Sequence, residues 1–435
     1  MTTAIRYLRL FLHVPGRGKL PIGYLSQYGD ILRVSFEDSY VSDPKRPTLS
    51  LSYRGDSEAD TQAILRAVRD ARVVRNDGHL PTYFENLLPE GHNRERLARE
   101  RHCRVDDQFE LIAAAGHDLM GAIEVEPVAA NEGIPDSIRH WHTALGLDVL
   151  EPGFVESPVE DAAAIPGVID KFSAVLEGRR YVVRRHGAAG SYILKLPSTR
   201  HPSLVQNEFA CYQLCKALNL NAAKAEMIPK KDADIPIQVP FDYVLAVKRF
   251  DRGLNGERIH MEEFAQALGY SPNNKYGKGI RQDFGPMLAV LQNLSATPEA
   301  DLAEFVKRFI AFILMGNTDA HLKNWSLIYS DGITPSLSPL YDPVCITALF
   351  QDVSELDYGV NRKIDRDVRA YTWDDLEALL RLARVTRVSH LMKVAKTTVQ
   401  MAKDVWPSLL KEAPESVSRS IVQRLNGGVE IAEAR

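Results

Sequence analysis

The sequence predicts an α+β protein of more than one unit. Three observations carry that prediction: strand-like alternation over the first 55 residues, a second strand set after residue 150, and helical periodicity through most of the chain past residue 255. A chain of 435 residues exceeds what one hydrophobic core of roughly 250 to 300 residues encloses, so two or three packed units are expected. Hydrophobic residues at 45% and charged residues at 25% belong to a globular chain and exclude a disordered one. The longest uninterrupted apolar run, Phe309 to Met315, falls far short of the roughly 20 residues a membrane span requires. No secretory pattern opens the chain, so a cytoplasmic location and no membrane partner are expected. A net charge of -4 argues against a broad phosphate-binding surface, and any contact with DNA is expected to run through a partner. Cys103, Cys211, Cys215 and Cys345 form no CxxC pair and no zinc spacing with histidine, and read as buried or idle thiols.

In the first unit, residues 1–125, Arg6, Leu8, Leu10 and Leu12 alternate with Ile5, Tyr7, Arg9 and Phe11, and Leu49, Leu51 and Tyr53 alternate with serines; both read as strands. Pro15, Gly16 and Gly18 break the first run. From Ser57 the spacing turns helical (Ile64, Leu65, Val68), and it does so again over Asn93 to Arg101 and Phe109 to Ala115. Residues 126–160, rich in Pro, Glu, Asp and Gly with one helical candidate near Trp141, read as a connection, with the boundary near residue 150. Residues 161–252 hold the second strand set. Arg180 to Arg184 and Tyr192 to Leu196 flank His186 to Gly190 as a hairpin would, a helix carries Glu208, Cys211, Tyr212, Cys215 and Leu218, and Tyr243 to Val247 is a short buried strand. Residues 253–435 are mainly helical, clearest over Asp301 to Met315.

The chemistry-bearing stretch starts where that helix ends: Gly316-Asn-Thr-Asp319-Ala-His-Leu-Lys-Asn324, a strand-like Trp325 to Tyr329, a turn at Asp331-Gly332, then Leu337 to Asp342. An aspartate separated by four residues from an asparagine, followed by a hairpin ending in a second aspartate, is the grammar of a kinase catalytic loop. A transferring phosphoryl group is charged, so magnesium must be held by oxygen ligands while a carboxylate accepts the hydroxyl proton. The alternative is a polar turn capping a helix, with Asp342 entering a proline turn.

Lys195 stands in an otherwise apolar strand, where a buried ammonium is costly unless it meets an anion. ATP phosphates and a helix carboxylate such as Glu208 would satisfy it; the alternative is an edge lysine reaching water. The tracts Ile165 to Lys171 and Gly187 to Gly190 are weak phosphate-loop signals, equally readable as turns. His321 has no second histidine nearby, so a capping or loop-ordering role is expected.

Taken together, Phe84-Glu-Asn-Leu-Leu-Pro89, Gly116-His-Asp-Leu-Met-Gly121, Gly167-Val-Ile-Asp-Lys171, Ile193-Leu-Lys195-Leu-Pro197, Asn207-Glu208, Val247-Lys-Arg-Phe-Asp251, Thr318 to Asn324 and Leu340-Tyr-Asp342 resemble the successive signatures of HipA-type kinases, the toxins of HipBA toxin-antitoxin systems. The resemblance implies a two-lobed, protein-kinase-like catalytic domain with a helical C-lobe, joined to a HipA-type N-terminal subdomain. It implies Asp319 as catalytic base, Asn324 and Asp342 on magnesium, and Lys195 on the ATP phosphates. Glu208, Gly167 and Lys171 complete the expected nucleotide site, with the Lys248 to Phe250 backbone at adenine and Asp251 near the ribose. It further implies a protein substrate, serine residues of aminoacyl-tRNA synthetases in the family, and a small helix-turn-helix HipB-type antitoxin that carries the DNA contact. The family's self-phosphorylated serine is replaced by Ala164 in Ala164-Ile-Pro166-Gly167, and its usual glutamine by Ile169, so self-silencing at that position is not expected. The resulting reading is a protein serine/threonine kinase that arrests growth. A small-molecule phosphotransferase and a catalytically inactive binding module or co-repressor are the alternatives.

Overall fold

The computed structural model describes residues 4–129, 132–139, 151–160, 162–165, 170–183, 189–197, 202–237, 240–253, 256–349 and 368–433. The alternation over Ile5 to Leu12 folds as read. Strands β1 (Arg6–Val14), β2 (Gly18–Tyr28), β3 (Ile31–Phe36), β4 (Val74–Arg75) and β5 (Ile123–Pro127) form an antiparallel sheet in the order β4-β3-β2-β1-β5. Leu8, Leu10 and Leu12 are buried in a core that also takes Leu97, Phe109 and Ile112 from the Gly91–Arg101 and Gln108–Ala114 helices. The β1–β2 turn needs Gly16 and Gly18, both at left-handed φ (71° and 74°). The Glu58–Leu65 helix opens on a capping box between Ser57 and Asp60.

The alternation at Leu49 to Tyr53 does not make a strand. Leu51–Tyr53 is a 3-10 turn, because Ser50 caps the Ser52 N–H (3.1 Å) and also donates to Glu262 (2.6 Å), which accepts the Leu51 N–H at 2.9 Å. Side chains occupy the backbone groups that a ladder would need. The connecting stretch is strapped to the first unit: Ile5 bridges Pro152, Val159 N–H reaches the Ala114 carbonyl, and Arg101 holds the carbonyls of Glu156 and Ser157. Ala164 ends it with its methyl fully buried in the first unit's core. The helical candidate near Trp141, residue 150, Gly167 and most of the His186 to Gly190 loop lie outside the described residues.

The second sheet runs β10-β7-β6-β8-β11-β9, from β6 (Lys171–Glu177), β7 (Arg180–Val182), β8 (Tyr192–Lys195), β9 (Ala225–Pro229), β10 (Ala233–Asp234) and β11 (Tyr243–Lys248). The expected β7–β8 hairpin is therefore corrected. β6 lies between them, turning directly into β7 at Gly178 and pairing on its other edge with β8. The Leu204–Ala217 helix packs on this sheet and buries Glu208, Cys211, Tyr212 and Cys215.

Past residue 255 the fold is helical around the protein's largest core, with one small sheet in the order β12-β13-β14 (His260–Glu263, Ser326–Tyr329, Ser336–Leu337). The Pro298–Met315 helix starts with proline in its first turn and stops at Gly316, whose left-handed φ of 72° terminates it just before the Asp319 loop. Cys211, Cys215 and Cys345 are buried free thiols and Cys103 is half-buried. Among the described residues no helix is long and apolar enough to cross a membrane.

Candidate active site

Register places two lysines side by side. Lys171 on β6 and Lys195 on β8 are direct cross-strand partners, and both are buried. Like charges directly opposite one another destabilise a sheet unless carboxylates intervene. Glu208 approaches Lys195 Nζ at 2.5 Å, Asp342 meets the same ammonium through Oδ1, and Asp342 Oδ2 lies 3.3 Å from Lys171 Nζ. Burial opposes the Lys195 charge, yet Asp342 and then Glu208 hold its pKa above the usual value. Burial likewise opposes the Asp342 charge, and Lys171 and Lys195 together hold that carboxyl well below its ordinary range. Asp342 sits at left-handed φ (53°), an uncommon conformation for a side-chain-bearing residue. Its N–H donates to Tyr212 Oη (3.2 Å), and the Asn207 amide clamps both backbone groups of Cys345 (2.8 and 2.9 Å). Asn207 thus fixes the segment that carries Asp342, and the next residue, Glu208, gives Lys195 its second carboxylate.

Asp319 heads the loop that leaves the Pro298–Met315 helix. Trp325, fully buried against Phe305 (ring centroids 4.7 Å), Phe284 and Phe312, pins the loop's far end, and its indole N–H donates to the Ala320 carbonyl. Asn324 Nδ2 donates to the Asp319 carbonyl (2.7 Å), and Tyr276 Oη donates to Asp319 Oδ1 (2.7 Å). Desolvation lifts the Asp319 carboxyl to about 6, although a third of its side chain stays exposed. His321 is loop-ordering, as expected. Its Nδ1 accepts the Lys323 N–H (3.2 Å), its ring stands edge-on to Tyr276 (5.2 Å), and burial lowers its pKa to about 3, so it is neutral.

The two centres are tied together by Tyr341. Its hydroxyl donates to the Lys323 carbonyl (2.8 Å) and accepts from Ser326, so the residue before Asp342 is bonded to the residue before Asn324. Phe250, at the end of β11, packs on the Tyr341 ring (5.7 Å), and the neighbouring Lys248 is half-buried. Asp251, expected beside a ribose, has its carboxylate engaged by Arg249, Arg252 and the Gly121 N–H (2.8 Å), all buried with Asp118.

Sequence reasoning left Asn86, Glu90, Asp118, Lys275, Tyr276 and Lys323 without roles. Asn86, Asp118 and Lys323 lie inside tracts already singled out, and Glu90 follows one directly, so position alone marked them. Tyr276 and Lys275 carried no signal. Among the described residues, Lys323 Nζ meets Glu90 (3.2 Å), Glu263 (3.2 Å) and the Asn86 carbonyl (3.0 Å), and Lys275 Nζ meets Glu90 at 2.7 Å.

Residues 17–126 match the HipA N-terminal domain family and residues 163–406 the HipA-like C-terminal domain family. A Sinorhizobium fredii protein, "Putative kinase Y4dM", is 32% identical over 392 residues, covering 87% of each chain. The serine/threonine-protein kinase toxin HipA of Shewanella oneidensis is 26% identical over 93% of this chain and 90% of its own length. Among solved structures, the Shewanella oneidensis MR-1 HipA, HipB and operator DNA complex aligns with a TM-score of 0.64 at 21% identity, over 97% of this chain and 96% of that one, a likeness of fold.

Proposed function

Because the chain belongs to the HipA family, we propose that it is an ATP-dependent protein serine/threonine kinase in which Asp319 is the catalytic base. The observation that carries this reading is the cluster of Lys171, Lys195, Glu208 and Asp342 joined through Tyr341 to the Asp319–Asn324 loop. Two buried ammonium groups at one cleft wall suit a polyphosphate. Asp342 and Asn324 offer the oxygen donors a hard cation takes, so they would hold magnesium, which would neutralise phosphate charge when bound. Asp342 would then exchange lysine partners for the metal, leaving Lys195 and Lys171 to the phosphates. A base with a pKa of about 6 is ionised at neutral pH and still basic enough to take a hydroxyl proton. The Lys248 to Phe250 backbone, beside Tyr341, is the expected adenine edge.

The substrate is a protein hydroxyl, and serine residues of aminoacyl-tRNA synthetases are the first candidates on family grounds, with growth arrest as the outcome. A HipB-type antitoxin is the proposed partner. The relative in Shewanella oneidensis is seen with HipB and operator DNA, and a net charge of -4 suits a chain that reaches DNA only through such a partner. The test is transfer of labelled phosphate from ATP in a cell lysate, followed by identification of the labelled protein. Parent enzyme should label a protein on serine or threonine, and Asp319→Asn should lower the rate roughly 10²- to 10⁴-fold with the fold intact. Label that appears only on small alcohols, or equally with Asp319→Asn, overturns the reading.

A further inference from the structure

The first unit does more than sit beside the catalytic domain. Glu90, at the start of the Gly91–Arg101 helix, turns its carboxylate away from that helix's own N–H groups and makes no cap bond there. It faces Lys275 (2.7 Å) and Lys323 (3.2 Å), two cations from separate segments of the C-terminal half. Burial opposes its charge, but the two ammonium groups outweigh that and hold its pKa at about 2. Each cation immediately precedes a residue that holds Asp319: Tyr276 donates to the Asp319 carboxylate, and Asn324 donates to the Asp319 carbonyl. The same two segments are joined a second time, since the Leu322 N–H donates to the Lys275 carbonyl (3.0 Å). Asn86 repeats the bridge four residues earlier: its amide donates to the Tyr270 carbonyl (2.9 Å) while its own carbonyl receives Lys323 Nζ.

We propose that Glu90 is a positioning residue of the phosphoryl-transfer site, setting the placement of Asp319 by joining Lys275 to Lys323. This rests on the kinase reading above. Glu90 touches none of the expected reacting atoms. It fixes the spacing between the Tyr276 segment and the Asn324 loop, and a misplacement of about 1 Å at a reacting group costs up to about 10²-fold in rate. The N-terminal unit is then a working part of the catalytic centre.

The experiment compares parent, Glu90→Gln, Lys275→Met and Tyr276→Phe in steady-state phosphoryl transfer, with hydrogen exchange followed over residues 270–279 and 317–325. Glu90→Gln should lower kcat about 10- to 100-fold and leave the KM for ATP within about twofold. Combined with Tyr276→Phe it should lose little more than the larger single effect, because both act on one group. Exchange should rise in both segments together. A folded Glu90→Gln enzyme with parental kcat overturns the proposal, as does full additivity with Tyr276→Phe. Should Glu90→Gln fail to fold, Lys275→Met breaks the same link from its other end and must show the same split. If the parent transfers no phosphate, the kinase reading falls on its own. Exchange then decides the positioning: acceleration confined to the two segments supports it, and no change in either refutes it.

Discussion

Two buried ionic clusters of equal charge balance lie in this protein and differ in their openness to solvent. Lys171, Lys195, Glu208 and Asp342 face the cleft, while Arg249, Arg252, Asp118 and Asp251 join the first unit to the end of β11. Each balances two cations with two carboxylates. In the second, no side chain is more than 5% exposed, and the Arg249 guanidinium grips Asp251 with two nitrogens (2.9 and 2.7 Å). Asp118 also accepts from Ser173 (2.6 Å) and the Gly190 N–H (3.2 Å). Such a cluster is closed to solvent, and a planar fork of fixed charge suits a permanent joint. In the first cluster, Asp342 keeps 28% of its side chain open and the cations are lysines, point charges that redirect readily to a phosphate. Charge count does not separate a site from a joint; an accessible carboxylate and exchangeable partners do.

The largest difference should appear in stability. Asp118→Ala leaves two buried cations, Arg249 and Arg252, to share Asp251 alone and should cost about 3–5 kcal/mol in urea unfolding. Asp342→Ala should cost clearly less, because water reaches the vacated position. Equal losses would erase the distinction between the clusters.

Acidity should separate them next. Asp319 is raised to about 6, so its protonated form grows as pH falls, and with Asp319 as the proposed base kcat should drop about tenfold per unit below that value. Asp251 is lowered to about 2, so the stability it contributes is full above the ordinary carboxyl range and is lost only as pH falls through about 2. At pH 5 the enzyme should therefore be slowed with its unfolding midpoint nearly unchanged. A pH–rate profile paired with thermal melts checks both halves; joint loss of activity and fold near pH 5 would contradict them.

The smallest effect calibrates the others. Ser57→Ala removes a capping-box partner that bonds to neither cluster and should cost about 1 kcal/mol with kcat unaltered. A rate change in that variant would show that generic destabilisation reaches the cleft.

Elements with a period of their own were legible in the sequence. The Pro298–Met315 helix declared itself by its apolar face, Lys195 by its misfit in an apolar strand, and Asp319, Asn324 and Asp342 by spacing along one continuous stretch. Strand neighbours were not legible, because alternation marks a strand without naming its partner; β6 entered between β7 and β8 for that reason. Leu49 to Tyr53 alternates as a strand does, yet its backbone groups were taken by Ser50 and Glu262, more than 200 residues apart. Glu90 and Lys275 are separated by 185 residues, and neither belongs to a pattern that local spacing reveals. The cross-strand meeting of Lys171 and Lys195 likewise needed the register of β6 on β8.

Calorimetric titration of ATP tests the proposal that the lysine cluster, with Asp342 and Asn324, is a magnesium-dependent nucleotide site. Parent protein should bind ATP more tightly with magnesium than without it, and Asp342→Ala should lose that dependence, because the hard cation loses a carboxylate ligand. ATP affinity indifferent both to magnesium and to Asp342→Ala would contradict the account.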